Sequence, residues 1–216
     1  TRVAAGDSPL LRRLHPGSDK HVAIKAICVF CGSSFGTRPT YAEAAHAVGQ
    51  LLATKRITLV YGGGDVGLMG AAADAAMEAG GKVIGVIPQS LADREVAHHG
   101  ISDLRIVSSM HERKAMMADL SDAFVALPGG FGTLEEFCEI ITWAQLGLHA
   151  KPCCLLNVAG YFDALLRQFD YGVSEQFIRP EYRKIVLSAS EPKELLAVLE
   201  SFRSPISERW INRSET

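Results

Sequence analysis

A glycine-rich turn followed by two carboxylates is the segment of this chain best suited to chemistry. It reads LPGGFGTLEE from Leu127 to Glu136, after an apolar run that begins at Ala123. A strand, a glycine turn and a helix start bring free backbone N–H groups together, and the helix dipole there favours negative charge. Acids favour the first turn of any helix, but three glycines in four positions favour a functional interpretation. Carboxylates beside an anion site indicate chemistry on a phosphorylated substrate.

Two adjacent cations at the start of another predicted helix form a second candidate. Arg113 and Lys114 follow a predicted strand that ends at Val107, so they lie at the same edge of the predicted sheet as the glycine turn. Cations at a helix start oppose the dipole, which favours ligand contact over a plain solvated face. An arginine can hold a phosphate or a carboxylate through two parallel hydrogen bonds.

Gly62, Gly64 and Gly67 follow another predicted strand with the spacing of a dinucleotide-binding fingerprint. That fingerprint also requires an acidic residue about 20 positions later, where it holds the ribose. Ile84 stands there, and the strand around it ends without an acid. A nucleotide phosphate, or tight packing of helix on strand, therefore explains these glycines better than a nicotinamide cofactor. We predict no cofactor.

Cysteine and histidine pairs give little support for a metal centre. Cys28 and Cys31 have the spacing of a redox or zinc pair, but Cys28 falls inside a predicted strand and no second pair accompanies it. We expect both to be core thiols. His98 and His99 lie in a polar loop, where exposed side chains are expected, and we predict no metal site. The five cysteines, mostly in apolar runs, fit reduced thiols in the cytoplasm.

Strand-like and helix-like segments alternate along the chain, which predicts an α/β fold. The expected architecture is a Rossmann-like, doubly wound parallel sheet with helices on both faces. The predicted strands are Lys25–Phe30, Ile57–Tyr61, Lys82–Ile87, Leu104–Val107, Ala123–Leu127, Pro152–Asn157 and Ile185–Leu187. The predicted helices are Thr40–Lys55, Val66–Ala79, Met110–Leu120, Thr133–Leu146, Tyr161–Gln168, Tyr171–Phe177 and Glu191–Phe202. Ligands on such sheets bind beyond the carboxyl ends of the strands, where the glycine turns lie.

Length and charge limit the classes of function. A chain of 216 residues, 48% of them hydrophobic, can form one domain with a sizeable core. The net charge of −2 and the lack of a strongly basic block disfavour nucleic acid as a partner. No apolar run approaches the ~20 residues that span a membrane. We predict a flexible N-terminal arm (1–24), one nucleotide-binding catalytic domain (25–203) and a C-terminal tail (204–216).

Taken together, the motifs resemble those of a known family. Pro128–Glu136 is similar to the PGGxGTxxE signature of the LOG proteins, and Met110–Lys114 resembles their arginine–lysine motif. The turns Cys31–Ser34 and Tyr61–Gly70 also look like that family. LOG proteins are cytokinin riboside 5′-monophosphate phosphoribohydrolases, which release a free base and ribose 5-phosphate, and many bacterial members accept AMP. Some relatives carry a "lysine decarboxylase" label, but nothing in this sequence suggests a site for pyridoxal phosphate.

The resemblance implies a hydrolase that cleaves the N-glycosidic bond of adenine-type nucleoside 5′-monophosphates, AMP included. It implies Arg113 and Glu136 as the catalytic pair. The implied substrate contacts are Glu95, Lys114, Gly129, Gly130, Phe131, Gly132, Thr133, Leu134, Glu135, Thr142, Gly32, Ser33, Gly63 and Gly64. The implied partners are a nucleotide substrate and a second copy of the chain, with no nucleic acid and no membrane.

The residues are consistent with that chemistry. N-glycosidic cleavage passes through an oxocarbenium-like state, and a carboxylate such as Glu136 can stabilise that cation or activate water. The glycine N–H groups and Thr133 would hold the 5′-phosphate, while Arg113 would hold the substrate or orient Glu136. An alternative of another class is a non-catalytic carrier, like the related molybdenum-cofactor carrier proteins. A carrier needs the glycines but not Arg113 together with Glu136.

Two predicted helices are apolar over more than one face, namely Val66–Ala79 and Thr133–Leu146. A helix that is apolar nearly all round must be buried on more than one side. The sheet covers one side, and a partner chain is a reasonable cover for another. We therefore predict a homodimer whose sites are completed across the interface.

Overall fold

The computed structural model describes residues 23–93 and 97–206. Within these ranges seven strands form one sheet: β1 (Ala26–Phe30), β2 (Thr58–Tyr61), β3 (Val83–Pro88), β4 (Asp103–Val107), β5 (Ala123–Ala126), β6 (Cys153–Leu156) and β7 (Val186–Ala189). The helices are α1 (Pro39–Thr54), α2 (Gly67–Glu78), α3 (Gln89–Leu91), α4 (Met110–Leu120), α5 (Phe131–Gln145), α6 (Asp163–Ser174), α7 (Pro180–Arg183) and α8 (Leu195–Ser201). Short 3-10 helices span Val158–Gly160 and Pro192–Glu194. The predicted arm (1–24) and tail (204–216) lie almost wholly outside the described residues.

Helices cover both faces of this parallel sheet, as predicted. One face packs against α1, α2 and α8 through strand residues such as Leu59 and Val125. The other face packs against α4, α5 and α6 through residues such as Val60 and Phe124. The inner strands β1, β2, β3, β5 and β6 are buried on both faces and carry apolar runs, whereas the edge strand β4 alternates polar and apolar residues. None of the helices in the described ranges is long and apolar enough to cross a membrane.

The strand order reverses at the centre of the sheet. The order is β4-β3-β2-β1-β5-β6-β7, so β1 lies next to β5, and the chain winds outward from there in both directions. The loops after these two strands meet, because the N–H of Gly32 donates to the carbonyl oxygen of Pro128 at 3.0 Å. In open α/β sheets, ligands bind beyond the strand ends at such a reversal. The fold thus places the glycine turn where a ligand site is expected.

The predicted strands are all present, with ends that differ by one or two residues. Two helix predictions were wrong. The segments Tyr161–Gln168 and Tyr171–Phe177 were expected to be separate helices, but α6 runs unbroken across them and ends before Gln176, whose φ is +64°. The last predicted helix, Glu191–Phe202, is divided into a 3-10 turn (Pro192–Glu194) and the helix α8. The helix predicted to begin at Thr133, α5, begins at Phe131.

Candidate active site

The glycine turn opens α5 and leaves its first donors available. Gly130 is the N-cap residue, and no side chain among the described residues caps the helix. The first N–H groups of a helix have no intrahelical partner, so they can bind an anion. Cβ atoms built on Gly130 and Gly132 would lie more than 4 Å from every described neighbouring atom, and Phe131 between them is 93% exposed. The space around these two glycines is therefore open, which leaves room for an anion beside the first N–H groups of α5.

Close packing beneath the turn holds it in place. A Cβ on Gly129 would lie 2.1 Å from Oγ1 of Thr133, so a larger residue does not fit there without a shift. Thr133 itself is buried, and Leu134 packs partly against the core below α5. These residues fix the backbone of the turn against the sheet.

Arg113 and Glu136 form a buried ion pair beside this turn. Nη1 of Arg113 lies 2.9 Å from Oε1 of Glu136, and each residue is 9% exposed. Arg113 extends from the first turn of α4, and its Nε donates to the carbonyl oxygen of Val86 in β3 at 3.1 Å. Glu136 extends from the second turn of α5. The structure thus joins the two residues predicted as the catalytic pair, and Arg113 is not part of a solvated face.

Burial and charge act in opposite directions on the Glu136 carboxyl. Burial raises the pKa of Glu136 above its ordinary value of 4.5, and the guanidinium of Arg113 works against that rise. The charge of Glu135 raises the pKa further, whereas Lys114 lowers it. A carboxyl with a raised pKa beside a fixed cation is suited to exchange a proton during a reaction.

Lys114 links the two helices that carry this pair. Its Nζ lies 2.7 Å from Oε1 of Glu135 and 2.9 Å from Oε1 of Glu139. Its side chain is 17% exposed. In this structure the side chains of Lys114 and Glu135 bind each other. Their expected contacts with substrate stay predictions.

The turns after β1 and β2 border the same site. Gly32 contacts the glycine turn through its hydrogen bond to Pro128, and Ser33 is exposed beside it. The carbonyl of Gly63 (φ +77°) accepts the N–H of His98 at 2.8 Å, and Gly64 forms an antiparallel bridge with Ala97. Part of the predicted polar loop is therefore bound to the end of β2.

For two residues predicted to contact the substrate, the described part of the chain shows no position at the glycine turn. Glu95 lies outside the described residues. Thr142 is exposed on α5, and its hydroxyl donates to the carbonyl oxygen of Cys138 at 2.8 Å. Because it follows Thr133 by nine residues, it lies about 14 Å farther along the helix. Its contact with substrate stays a prediction, and one chain alone does not provide it.

Packing accounts for two other patterns in the sequence. Cys28 and Cys31 are buried core thiols, as predicted, and burial raises the pKa of both. Gly67 has φ +59°, and a Cβ on it would lie 2.3 Å from the carbonyl carbon of Ser33. The last glycine of the fingerprint-like run therefore serves the close approach of α2 to the loop after β1.

Sequence reasoning missed two contacts at the site. A Cβ on Gly62 would lie 2.2 Å from Nη2 of Arg113, so this glycine makes room for the guanidinium. The hydroxyl of Tyr161 donates to the carbonyl oxygen of Gly129 at 2.6 Å. The fingerprint-like spacing did mark Gly62, though as a residue for a nucleotide phosphate or for helix–strand packing, whereas no sequence signal marked Tyr161.

Comparison with known proteins identifies the family of this chain. The family described as "Possible lysine decarboxylase" matches residues 69–199. The cytokinin riboside 5′-monophosphate phosphoribohydrolase LOG7 of Arabidopsis thaliana is 53% identical over 184 residues, which cover 85% of this chain and 85% of that protein. The probable cytokinin riboside 5′-monophosphate phosphoribohydrolase LOGL2 of Oryza sativa subsp. japonica is 51% identical over 189 residues, covering 88% of this chain and 77% of the relative.

A solved structure shows the same fold at lower identity. The molybdenum cofactor binding protein from the phototrophic bacterium Rippkaea orientalis aligns with a TM-score of 0.63 and 23% identity. The alignment covers 83% of this chain and 98% of that one. At this identity the likeness shows the fold alone. The matches over most of the chain show that it belongs to the LOG family, like these two plant proteins.

Proposed function

We propose that this chain hydrolyses the N-glycosidic bond of cytokinin riboside 5′-monophosphates and of AMP, releasing the free base and ribose 5-phosphate. The observation that carries the proposal is the ion pair of Arg113 and Glu136, 2.9 Å apart and buried, beside the open N-terminus of α5. The activity for which relatives at 51–53% identity are named supports the same reaction.

The glycine turn binds the 5′-phosphate in this proposal. The first N–H groups of α5 and the hydroxyl of Thr133 supply donors, and the helix dipole favours the negative charge. A phosphate held there fixes the ribose relative to Glu136, which lies one helical turn farther along α5. Binding energy from this remote group is then used to position the bond that breaks.

Glu136 acts on the anomeric carbon. As the bond to the base breaks, positive charge develops on the ribose ring, and a carboxylate close to it stabilises that charge. The same carboxylate can take a proton from the attacking water. Arg113 orients Glu136 and favours its ionised form, since its guanidinium opposes the rise in pKa that burial causes. The water oxygen ends on ribose 5-phosphate, and the base leaves with a proton.

The buried pair also distinguishes hydrolysis from ligand carriage. A carrier of a nucleotide or of the molybdenum cofactor requires the glycine turn, but it does not require an acid–base pair beside it. Burying Arg113 and Glu136 together costs desolvation free energy. A role in hydrolysis explains why the protein has this pair, whereas ligand carriage does not. We therefore favour the enzyme over the carrier.

The enzyme is proposed to act in the cytoplasm as a homodimer. All five cysteines lie within the described residues and are free thiols. Free thiols fit a reducing compartment. The distance of Thr142 from the glycine turn supports the dimer, because a second copy offers a way to bring such a residue to substrate.

The test is to follow base release from AMP, GMP, CMP and isopentenyladenosine monophosphate by chromatography, with adenosine as the matched substrate without phosphate. We expect the adenine-type monophosphates to be cleaved, and adenosine to react with a kcat/KM roughly a hundredfold lower, since it lacks several charge-assisted hydrogen bonds. The Glu136→Gln variant serves as the inactive control. Equal rates on adenosine and AMP, or binding of AMP without base release, would contradict the proposal.

A further inference from the structure

A tyrosine remote in the sequence contacts the glycine turn. Tyr161 follows the 3-10 helix Val158–Gly160, and its hydroxyl donates to the carbonyl oxygen of Gly129 at 2.6 Å, 32 residues away along the chain. The distance is short even for an O–H···O hydrogen bond. Gly129 belongs to the turn that opens α5, so this contact acts on the backbone of the phosphate site.

The bond fixes the direction of a neighbouring donor. A peptide unit is planar and trans, so the carbonyl of Gly129 and the N–H of Gly130 point in opposite directions. When the hydroxyl of Tyr161 holds the carbonyl on one side, the N–H of Gly130 points to the other side. A hydrogen bond to the carbonyl also polarises the peptide and makes its N–H a stronger donor.

This peptide unit needs such a restraint more than its neighbours do. It lies between Gly129 and Gly130, and glycine on both sides lets a peptide rotate with little steric resistance. A rotated unit would present its carbonyl oxygen, rather than its N–H, to a bound anion. The preceding unit is already held, because the carbonyl of Pro128 accepts the N–H of Gly32 at 3.0 Å.

The ring of Tyr161 is itself held in place. It packs edge-on against Tyr41 at 5.7 Å and against Phe162 at 5.0 Å between ring centroids. Phe162 is 1% exposed, so one of these contacts belongs to the core. Left-handed backbone at Ala159 and Gly160 (φ +52° and +71°) turns the chain so that the ring reaches the site. The hydroxyl is therefore preorganised, even though the residue is 42% exposed.

We infer that Tyr161 is a positioning residue that locks the Gly129–Gly130 peptide, so that the N–H of Gly130 donates to the 5′-phosphate of the substrate. The inference rests on the proposed function and assigns one donor within it. Tyr161 touches neither the bond that breaks nor Glu136. It affects catalysis only by positioning a donor that binds the 5′-phosphate.

The decisive variant is Tyr161→Phe, which removes the hydroxyl and keeps the ring in its packing. Calorimetry with ribose 5-phosphate measures the phosphate site without any need for turnover. We expect the Kd to rise roughly five- to tenfold, the effect of one neutral hydrogen bond. The KM for AMP should rise by the same factor while kcat changes less than twofold, because the contact forms in the bound substrate and persists in the transition state.

The matched control is Tyr171→Phe, which removes the same group from an exposed tyrosine of α6. It should leave both Kd and KM unchanged. An unchanged Kd in Tyr161→Phe, or an equal change in both variants, would overturn the inference, as would a loss of thermal stability without weaker binding. If wild-type protein binds ribose 5-phosphate in a Tyr161-dependent way but cleaves no nucleotide, the proposed function fails and the positioning role stands.

Discussion

Glu135 and Glu136 are adjacent in the sequence, yet their side chains lie in different surroundings. Successive helix residues point about 100° apart. Glu136 turns inward to Arg113, while the side chain of Glu135 is 55% exposed and binds Lys114. This separation supports the proposal that Glu136 alone has the acid–base role.

The first prediction compares Glu136→Gln with Glu135→Gln. Each change removes one negative charge and keeps the shape of the side chain. Glu136→Gln should lower kcat by roughly a hundredfold or more, as expected for a positioned acid–base group, whereas Glu135→Gln should have a milder effect. Steady-state rates on AMP measure both. A larger loss in Glu135→Gln would show that the role belongs to the preceding residue.

The second prediction concerns pH. Burial raises the pKa of Glu136 above 4.5, and the charge of Glu135 raises it further. If the ionised carboxylate is the active form, the acid limb of kcat/KM lies above 4.5. Glu135→Gln removes a neighbouring negative charge, so the limb should move to lower pH. A limb that stays in place or moves upward in this variant would contradict the assignment.

The same raised pKa gives the sign of a stability effect. Between pH 4.5 and the raised pKa, folded protein retains a proton on Glu136 that unfolded protein has released. The free energy of unfolding therefore falls as pH rises through this window. Urea unfolding of wild type and Glu136→Gln should differ in slope against pH in this range, with the steeper fall in wild type.

At the scale of elements, α4 and α5 pack on one face of the sheet and bring Arg113 to Glu136. The turn after β2 and the strand β3 complete the position of the guanidinium, through the space at Gly62 and the backbone carbonyl of Val86. Neither of them contributes a side chain to this contact. The site therefore depends on backbone as much as on its charged groups.

The third prediction tests that dependence with Gly62→Ala. The added Cβ would lie 2.2 Å from Nη2 of Arg113, and the flexible end of an arginine can move away without unfolding the protein. We expect a normal melting temperature and a kcat/KM at least roughly tenfold lower, since a small misplacement of a catalytic group is costly.

A double-mutant cycle supplies the control for that prediction. Arg113→Lys should itself be impaired, because an ammonium cannot reproduce the guanidinium fork, and it removes the atom that Gly62→Ala would displace. The second change should then have little further effect. Equal losses in both backgrounds would show that Gly62 acts independently of Arg113.

The elements were largely predictable from sequence, because each strand is a short apolar run between turns and the helices around it are longer. The two helices predicted in place of α6 were wrong because Phe169 and Asp170 do not break a helix, and the real end depends on the left-handed Gln176. The motifs, and the family resemblance they carry, led to Arg113 and Glu136 as the predicted catalytic pair, and the structure places these two side chains in contact. Tyr161 was not, because its contact is to a backbone carbonyl and leaves no pattern in sequence.

At the scale of the molecule, the structure leaves one of the two predicted helices, and not both, as a candidate dimer interface. α2 was expected to need a partner chain, but its alanines are buried within one chain against α1 and the sheet. The second half of α5 and the C-cap residue that follows it differ, since Ile141, Trp143 and Leu146 remain only half-buried around the exposed Thr142. We therefore locate the proposed interface on this part of α5.

The fourth prediction follows from that location. Light scattering during gel filtration should give a mass of twice the single-chain 23.3 kDa. Leu146→Glu places a charge on the half-buried face, away from the glycine turn, and should yield a folded monomer with reduced activity. A wild-type mass of 23.3 kDa with full activity would refute both the dimer and the shared site.

The pairing of β1 with β5 also bears on the order in which the protein recovers its structure and its activity during refolding. The carboxylate of Asp122 accepts the backbone N–H groups of Lys25 and Ala26, 97 and 96 residues away. Contacts this far apart along the chain form only after a long loop has closed, and such topologies fold slowly. Since the proposed substrate site lies at this junction, we expect refolding protein to recover its helical circular dichroism before it recovers base release. Simultaneous recovery of the two signals would show that the junction forms early.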